Sequence, residues 1–173
     1  KYGYATGPYE NLGNYQTNNE KILGRLDWII NTKHSLSFRY NYSKTNDDQT
    51  LNGNSAPNPR SATNRWSVNS MSFENSNYMN TNKLELYALE LKSNFNDKLS
   101  NQLIATYTRA NDPKRSSNSS PFPFIDIWEG GFNYISAGYE LFSWNNDVQN
   151  NTFTFNKNLN YYTVKLIISS GLS

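Results

Sequence analysis

The sequence predicts an all-β chain whose antiparallel strands form part of a transmembrane outer-membrane β-barrel with long extracellular loops. Three observations carry that expectation. Segments of about 11 residues alternate apolar and polar side chains, the period of a strand with one greasy face. Short turns alternate with loops of about 35 residues, a pattern foreign to compact soluble domains. All six prolines and most of the nine glycines fall in three stretches, 1–19, 45–82 and 111–146. These read as connections, because proline removes a donor from a paired strand.

Composition narrows the classes. The 173 residues include no Cys and one His, 16 Lys+Arg and 14 Asp+Glu, with 29 Asn, 20 Ser, 13 Tyr, nine Phe and four Trp. Without Cys there is no disulfide scaffold, thiol nucleophile or Cys-based zinc site. A lone His34 leaves no basis for multi-histidine chemistry. A net charge of +2 gives no basic footprint for nucleic acid. The aromatic richness argues against disorder. Apolar runs such as Trp28–Ile30 and Leu166–Ile168 are far shorter than the roughly 18 residues of a membrane helix. The Lys1-Tyr2-Gly3-Tyr4 start, with neither initiator Met nor signal segment, reads as a processed chain or a fragment.

The strands follow in order. Segment 20–30 puts Ile22, Gly24, Leu26, Trp28 and Ile30 on one face. Segment 34–44 puts Leu36, Phe38, Tyr40 and Tyr42 against Ser35, Ser37, Arg39, Asn41 and Ser43, and the Asn31-Thr32-Lys33 turn joins the two as a hairpin. Segment 85–95 sets Tyr87, Leu89, Leu91 and Phe95 against Glu90, Lys92 and Asn94. Segment 99–109 follows the turn at Asn96-Asp97-Lys98, with Leu99, Leu103, Ala105 and Tyr107 on its apolar side. A third pair begins with 151–161 (Phe153, Phe155, Leu159, Tyr161) and ends in a strand over 166–171. The turn lysines Lys33, Lys98 and Lys165 lie 65 and then 67 residues apart, an internal hairpin repeat. Loops 45–82 and 111–146 fall at the opposite end from the turns.

A soluble β-sandwich would line a dry core with these apolar faces and has no need of long loops at one end. A barrel expects strands of this length, short periplasmic turns, long outer loops and aromatic residues at the interfaces. Trp28, Tyr40, Tyr42, Tyr87, Tyr107 and Tyr161 suit such girdles. Lys157 opposes the reading, since an outward lysine at the midplane costs about 2–4 kcal/mol. A bulge or a boundary displaced by one residue would relieve it. Six strands are too few to close a barrel around a lumen, so further sequence or partner chains must complete the wall.

Glu20–Trp28 (EKILGRLDW) followed by Asn31–Tyr40 (NTKHSLSFRY) resembles the R-x-D-W … N-x-K-H-x-L-x-x-R-Y hairpin of Bacteroidetes TonB-dependent outer-membrane receptors, most closely the Oar-like subgroup. Asn94–Leu103 is similar to that family's next hairpin. Pro121–Ile127 (PFPFIDI) and Ala137–Glu140 (AGYE) resemble the long loop after it. Val164-Lys165-Leu166 departs from the usual Gly-Lys-His of the last hairpin. The resemblance implies a 22-stranded barrel in the bacterial outer membrane with an N-terminal plug, energised through the TonB complex and importing a scarce nutrient. It implies as partners the outer-membrane lipid, the rest of the barrel and plug, the TonB complex through parts outside these residues, and an unidentified nutrient. No plug falls within residues 1–173. Two rival functions stand beside it: a soluble secreted β-sandwich module for glycans, and a surface adhesin barrel that does not transport.

No motif for catalysis or a cofactor occurs, so the chain is expected to be no enzyme and to carry no cofactor. Arg25, Asp27, Arg39, Glu90 and Lys92 face the lumen in this register, where they would meet a plug or substrate, or pair with one another across a wet wall. Trp66, Tyr78, Trp128, Tyr134, Phe142 and Trp144 lie in the long loops, suited to capture of a sugar or peptide or to mutual packing. Asp47-Asp48 and the Asp126/Glu129 pair offer oxygen ligands for Ca²⁺, without the spacing of a known calcium loop.

Overall fold

A computed structural model describes residues 3–51, 53, 65, 68–141, 143–144, 146–163 and 167–172. The chain is all-β. Its strands are β1 (Thr17–Ile29), β2 (His34–Gln49), β3 (Met71–Ser72), β4 (Tyr78–Asn96), β5 (Leu99–Ser117), β6 (Ile125–Glu129), β7 (Phe132–Ala137), β8 (Asp147–Tyr162) and β9 (Ile167–Leu172). They form a six-stranded sheet in the order β1-β2-β4-β5-β8-β9 and a three-stranded sheet in the order β3-β7-β6. The chain divides into two compact units. The strand unit comprises residues 20–44, 83–111 and 149–173, and the loop unit 1–19, 45–82 and 112–148.

The turns of the strand unit explain the repeat. At the first, the Asn31 side-chain oxygen accepts from the backbone amides of Lys33 (2.8 Å) and His34 (2.9 Å). At the second, Asn96 accepts from Lys98 and Leu99, both at 2.9 Å. Asparagine can replace a backbone turn in this way, which fixes the reversal. The carbonyl of each turn lysine then accepts from the next hairpin, Asn94 N to Lys33 O and Tyr162 N to Lys98 O, both at 2.8 Å. The third turn, at Val164-Lys165-Leu166, lies outside the described residues.

Strand ends at the turns match the sequence reading closely, but the opposite ends run three to eight residues further than expected. β2 continues to Gln49, β4 begins at Tyr78, and β5 passes through Pro113 to Ser117. The supposed loops 45–82 and 111–146 are therefore partly strand. In these extensions polar residues fall on both faces, with only Tyr78, Met79, Leu84, Ala110 and Val148 apolar, so the hydrophobic period fades while the ladder persists. Asp48 N donates to Gln16 O at 3.0 Å, Thr45 Oγ1 to Asn19 at 2.7 Å and Thr81 Oγ1 to Asn46 at 3.0 Å. Pro113 removes only its own donor; Arg115 N bonds Asn146 O at 2.9 Å two residues on.

The strand unit has no apolar core among its described residues. Leu26, Trp28 and Phe153 are 72%, 63% and 69% exposed, and the only buried apolar side chains described, Leu51 and Tyr78, belong to the loop unit. On the same face Tyr40, Tyr87 and Tyr107 form a ladder across β2, β4 and β5, with ring centroids 5.0 and 6.3 Å apart. Lys157 stays on this face. β8 and β9 pair without a register shift from Lys157↔Leu172 to Tyr162↔Ile167, so no bulge between them relieves it, and its neighbour Asn158 bonds Gln102 on the opposite side.

The loop unit buries polar groups instead. β6 and β7 form an antiparallel hairpin with a register shift at Ile127/Trp128, and β3 joins β7 in parallel. Gly130 and Gly131 at its tip both have positive φ, +59° and +85°, the two-residue turn that matches strand twist. Gly138, at φ +109°, lies so close to the 123–124 backbone that a Cβ would stand 2.3 Å from Pro123 O. The two loop motifs of the family resemblance, 121–127 and 137–140, are thus in direct contact.

Candidate functional site

Two places concentrate chemistry, one in each unit. The first is the polar face of the strand unit. Arg25 Nε and Nη2 clasp the Asp27 carboxylate at 2.8 and 3.0 Å, and Ser37 Oγ donates to the same carboxylate. Arg39 reaches Glu90 Oε2 at 2.7 Å, while Lys92, at 3.2 Å, and the Gln102 amide share its Oε1. Asn158 donates to Gln102 at 3.4 Å. Glu90 is the buried hub, at 4% exposure. Alternation puts every member on one face, and all five charges expected on the lumen side (Arg25, Asp27, Arg39, Glu90, Lys92) belong to this array.

At the turn end of that face lies an open concavity of about 590 Å³, lined by Lys33, His34, Lys92, Asn94, Gln102 and Asn160 among others. His34 Nδ1 lies 2.9 Å from Ser93 Oγ, which holds its ring.

The loop unit separates the aromatic candidates. Tyr78 is buried, with the Arg115 guanidinium 5.1 Å over its ring, so it serves packing and presents no face to a ligand. Trp128 pairs with Asn133 across the hairpin and is half-buried. Trp144 leans on Tyr139 with ring centroids 4.7 Å apart and planes tilted by 50°, yet stays 56% exposed. Tyr134 is exposed and lines a cavity of about 310 Å³ with Asn69, Glu129, Phe132 and Asn133. Trp66 and Phe142 lie outside the described residues.

Three of the carboxylates offered for Ca²⁺ are engaged by the chain's own donors. Asp126 is taken by Arg65, whose Nε and Nη2 approach it at 2.9 and 2.7 Å, and by Ser136 Oγ at 2.7 Å. Asp47 accepts from Thr17 and Gln49, and Asp48 from Gln16 N at 3.2 Å. No group of three acidic or histidine side chains gathers among the described residues.

Sequence reasoning missed Arg65, Phe132, Asn133 and Asn69. Ile125–Glu129, Gly130-Gly131 and Phe132–Ser136 do carry a hairpin signal, alternating residues around a Gly-Gly pair, that would have located two of them, Phe132 and Asn133. Arg65 has no local signal, because its partner is 61 residues away. Comparison with models of known protein families, with curated proteins and with solved structures finds no match.

Proposed function

We propose that the chain is part of the wall of a transmembrane β-barrel, and that the barrel is a TonB-dependent receptor taking up a nutrient across a bacterial outer membrane. The observation that carries the first step is the opposite chemistry of the two faces of the strand unit. One face leaves Leu26, Trp28, Phe153 and the tyrosine ladder uncovered; the other holds ion pairs and amides linked across five strands. In water the exposed apolar face is unfavourable by about 25 cal/mol per Å², whereas in hydrocarbon it is at home. A polar face of this kind suits a wet lumen.

The rival β-sandwich would have to bury Leu26 and Trp28 against a second sheet, and their exposure speaks against it. Lys157 is compatible with the bilayer if its four-carbon stem carries the ammonium toward the interface. The receptor step rests on the sequence resemblance of residues 20–40, 94–103, 121–127 and 137–140. In that reading the loop unit supplies extracellular segments.

Nitroxide labels test the wall. In lipid vesicles, labels at Leu26→Cys and Leu89→Cys should collide with dissolved oxygen, and labels at Arg25→Cys and Lys92→Cys with a water-soluble nickel chelate. A chain that is monodisperse in plain buffer, with all four labels meeting the chelate alike, would end the proposal. The flanking gene sequence tests the receptor step. A plug domain and a TonB-contacting segment are expected upstream; a gene encoding neither leaves an adhesin or another barrel.

A further inference from the structure

The apolar face of the strand unit changes chemistry at one level. The rings of Tyr40, Tyr87 and Tyr107 mark that level across β2, β4 and β5. From this row toward the turns, the only Lys, Arg, Asp or Glu on the same face of β1, β2, β4, β5 and β8 is Lys157. On the other side, within four residues of the row, stand Glu20 on β1, Lys44 on β2, Lys83 and Glu85 on β4 and Arg109 on β5.

The antiparallel register sets which of these face each other. His34 meets Ser93 and Tyr40 meets Tyr87, so counting on along both strands places Lys44 directly opposite Lys83. The same count from Tyr87 and Tyr107 places Glu85 opposite Arg109, and from Ser37 and Asp27 it places Glu20 opposite Lys44. Lys83 Nζ lies 3.2 Å from Glu85 and 5.6 Å from the centre of the Tyr42 ring. Glu85 is folded in at 16% exposure against 40% for Lys83, and Arg109 is exposed, so on β4 and β5 the cations stand further out than the carboxylate. Among the described residues no ion pair reaches Lys44, Arg109 or Glu20.

Like charges directly opposite each other across a ladder repel, and an anion between them turns that repulsion into attraction. Tyrosine rows sit at the headgroup level of a bilayer, where the anion at hand is a lipid phosphate. We infer that Lys44, Lys83 and Arg109 form a binding belt for the phosphate of an anionic lipid headgroup, just beyond the tyrosine row. The inference rests on the wall reading and deepens it by naming the lipid that this face selects. Glu20 lies on the far side of Lys44 from Lys83, which leaves the space between the lysines to the phosphate oxygens. A zwitterionic headgroup is the poorer ligand, because it brings an ammonium group to the same cations.

Electron paramagnetic resonance of spin-labelled lipids, with the full chain in phosphatidylcholine vesicles, tests the belt. Lipid held against the wall gives an immobilised component, whose size for each labelled lipid measures its preference. The wild type should prefer phosphatidic acid over phosphatidylcholine at least about threefold, as cations beside an anionic headgroup do. Lys44→Gln/Lys83→Gln should remove most of that preference, and adding Arg109→Gln the rest, while the immobilised component stays. Lys21→Gln, which removes a cation from the opposite face of β1, should leave the preference as it was. No immobilised lipid of either kind would overturn the wall and the belt together. Immobilised lipid without preference, a preference that survives in the triple variant, or one lost equally in Lys21→Gln would overturn the belt and leave the wall standing.

Discussion

The two units of the chain place polar and apolar groups in opposite ways. In the strand unit apolar side chains point outward with nothing over them, and the best-connected carboxylate, Glu90, sits buried in a polar array. In the loop unit the interior includes an ion pair, with the Arg65 side chain fully buried and Asp126 at 8% exposure, beside only Leu51 and Tyr78 as buried apolar side chains among the described residues. Neither unit follows the oil-drop arrangement of a soluble domain. The strand unit is a two-faced layer, which the proposed wall would set between lipid and water, while the loop unit is held by specific geometry. Lipid should therefore matter greatly to the first and little to the second, and removing one charge should do the reverse.

The largest effect is expected at the ion pair. Arg65→Ala strands a buried carboxylate, which costs about 3–5 kcal/mol when one partner of such a pair is removed. The Arg65 guanidinium also lies 4.8 Å from the Phe124 ring centre, so packing is lost with the charge. Amide exchange at Ser136 and Asn133 should accelerate sharply while exchange in β2 and β5 stays slow. Acceleration in both units alike would erase the distinction between them. The double variant Arg65→Met/Asp126→Leu should recover much of the protection, because an apolar pair can replace a buried ionic one.

Next in size is a charge on the apolar face. Leu26→Arg should destabilise the chain in vesicles by about 2–4 kcal/mol, the cost of arginine facing hydrocarbon near the midplane. Leu23→Arg, three residues earlier in β1 and on the polar face, should cost far less. Urea titrations of both variants in lipid give the comparison. Equal costs would mean that the two faces meet the same solvent, and the wall would have to be abandoned.

Gly138→Ala probes the loop unit without touching charge. A side chain at φ +109°, with its Cβ 2.3 Å from Pro123 O, forces the backbone to move, and strain of this class costs about 1–3 kcal/mol. Its Tyr139–Phe122 backbone bond, 3.4 Å long, should open first. Protease cleavage after Phe124 should rise, with the strand unit unaffected.

Legibility in the sequence followed the same division. The strand unit was readable because period-two alternation reports directly which face a residue takes, so Arg25, Asp27, Arg39, Glu90 and Lys92 could be placed together before any coordinate. The extensions of β2, β4 and β5 were not, because residues such as Asp47, Asn80 and Lys114 are polar on either face and carry no period. The loop unit depends on long-range partners: Arg65 with Asp126, Tyr4 stacked on Phe122 at 4.0 Å, Gly138 against Pro123. Aromatic content alone could not tell buried Tyr78 from exposed Tyr134.

The smallest effect is the most diagnostic of the repeat. Asn31 and Asn96 make the same pair of side-chain bonds at the two described turns, so Asn31→Ala and Asn96→Ala should each cost about 1 kcal/mol, as loss of a comparable side-chain cap does. Asn→Asp at either position keeps the acceptor and should cost less. The two turns differ in one respect: Asn31 closes onto His34, which is held by Ser93 at 2.9 Å and lies edge-on to Phe95 at 6.0 Å, whereas Asn96 closes onto Leu99. A second support should blunt the loss at the first turn, making Asn31→Ala the milder variant, and adding Ser93→Ala should bring the two to equal cost. Denaturation midpoints of the three variants in one lipid decide it. If Asn31→Ala were the more damaging, the histidine contact would be a consequence of the turn and no support to it.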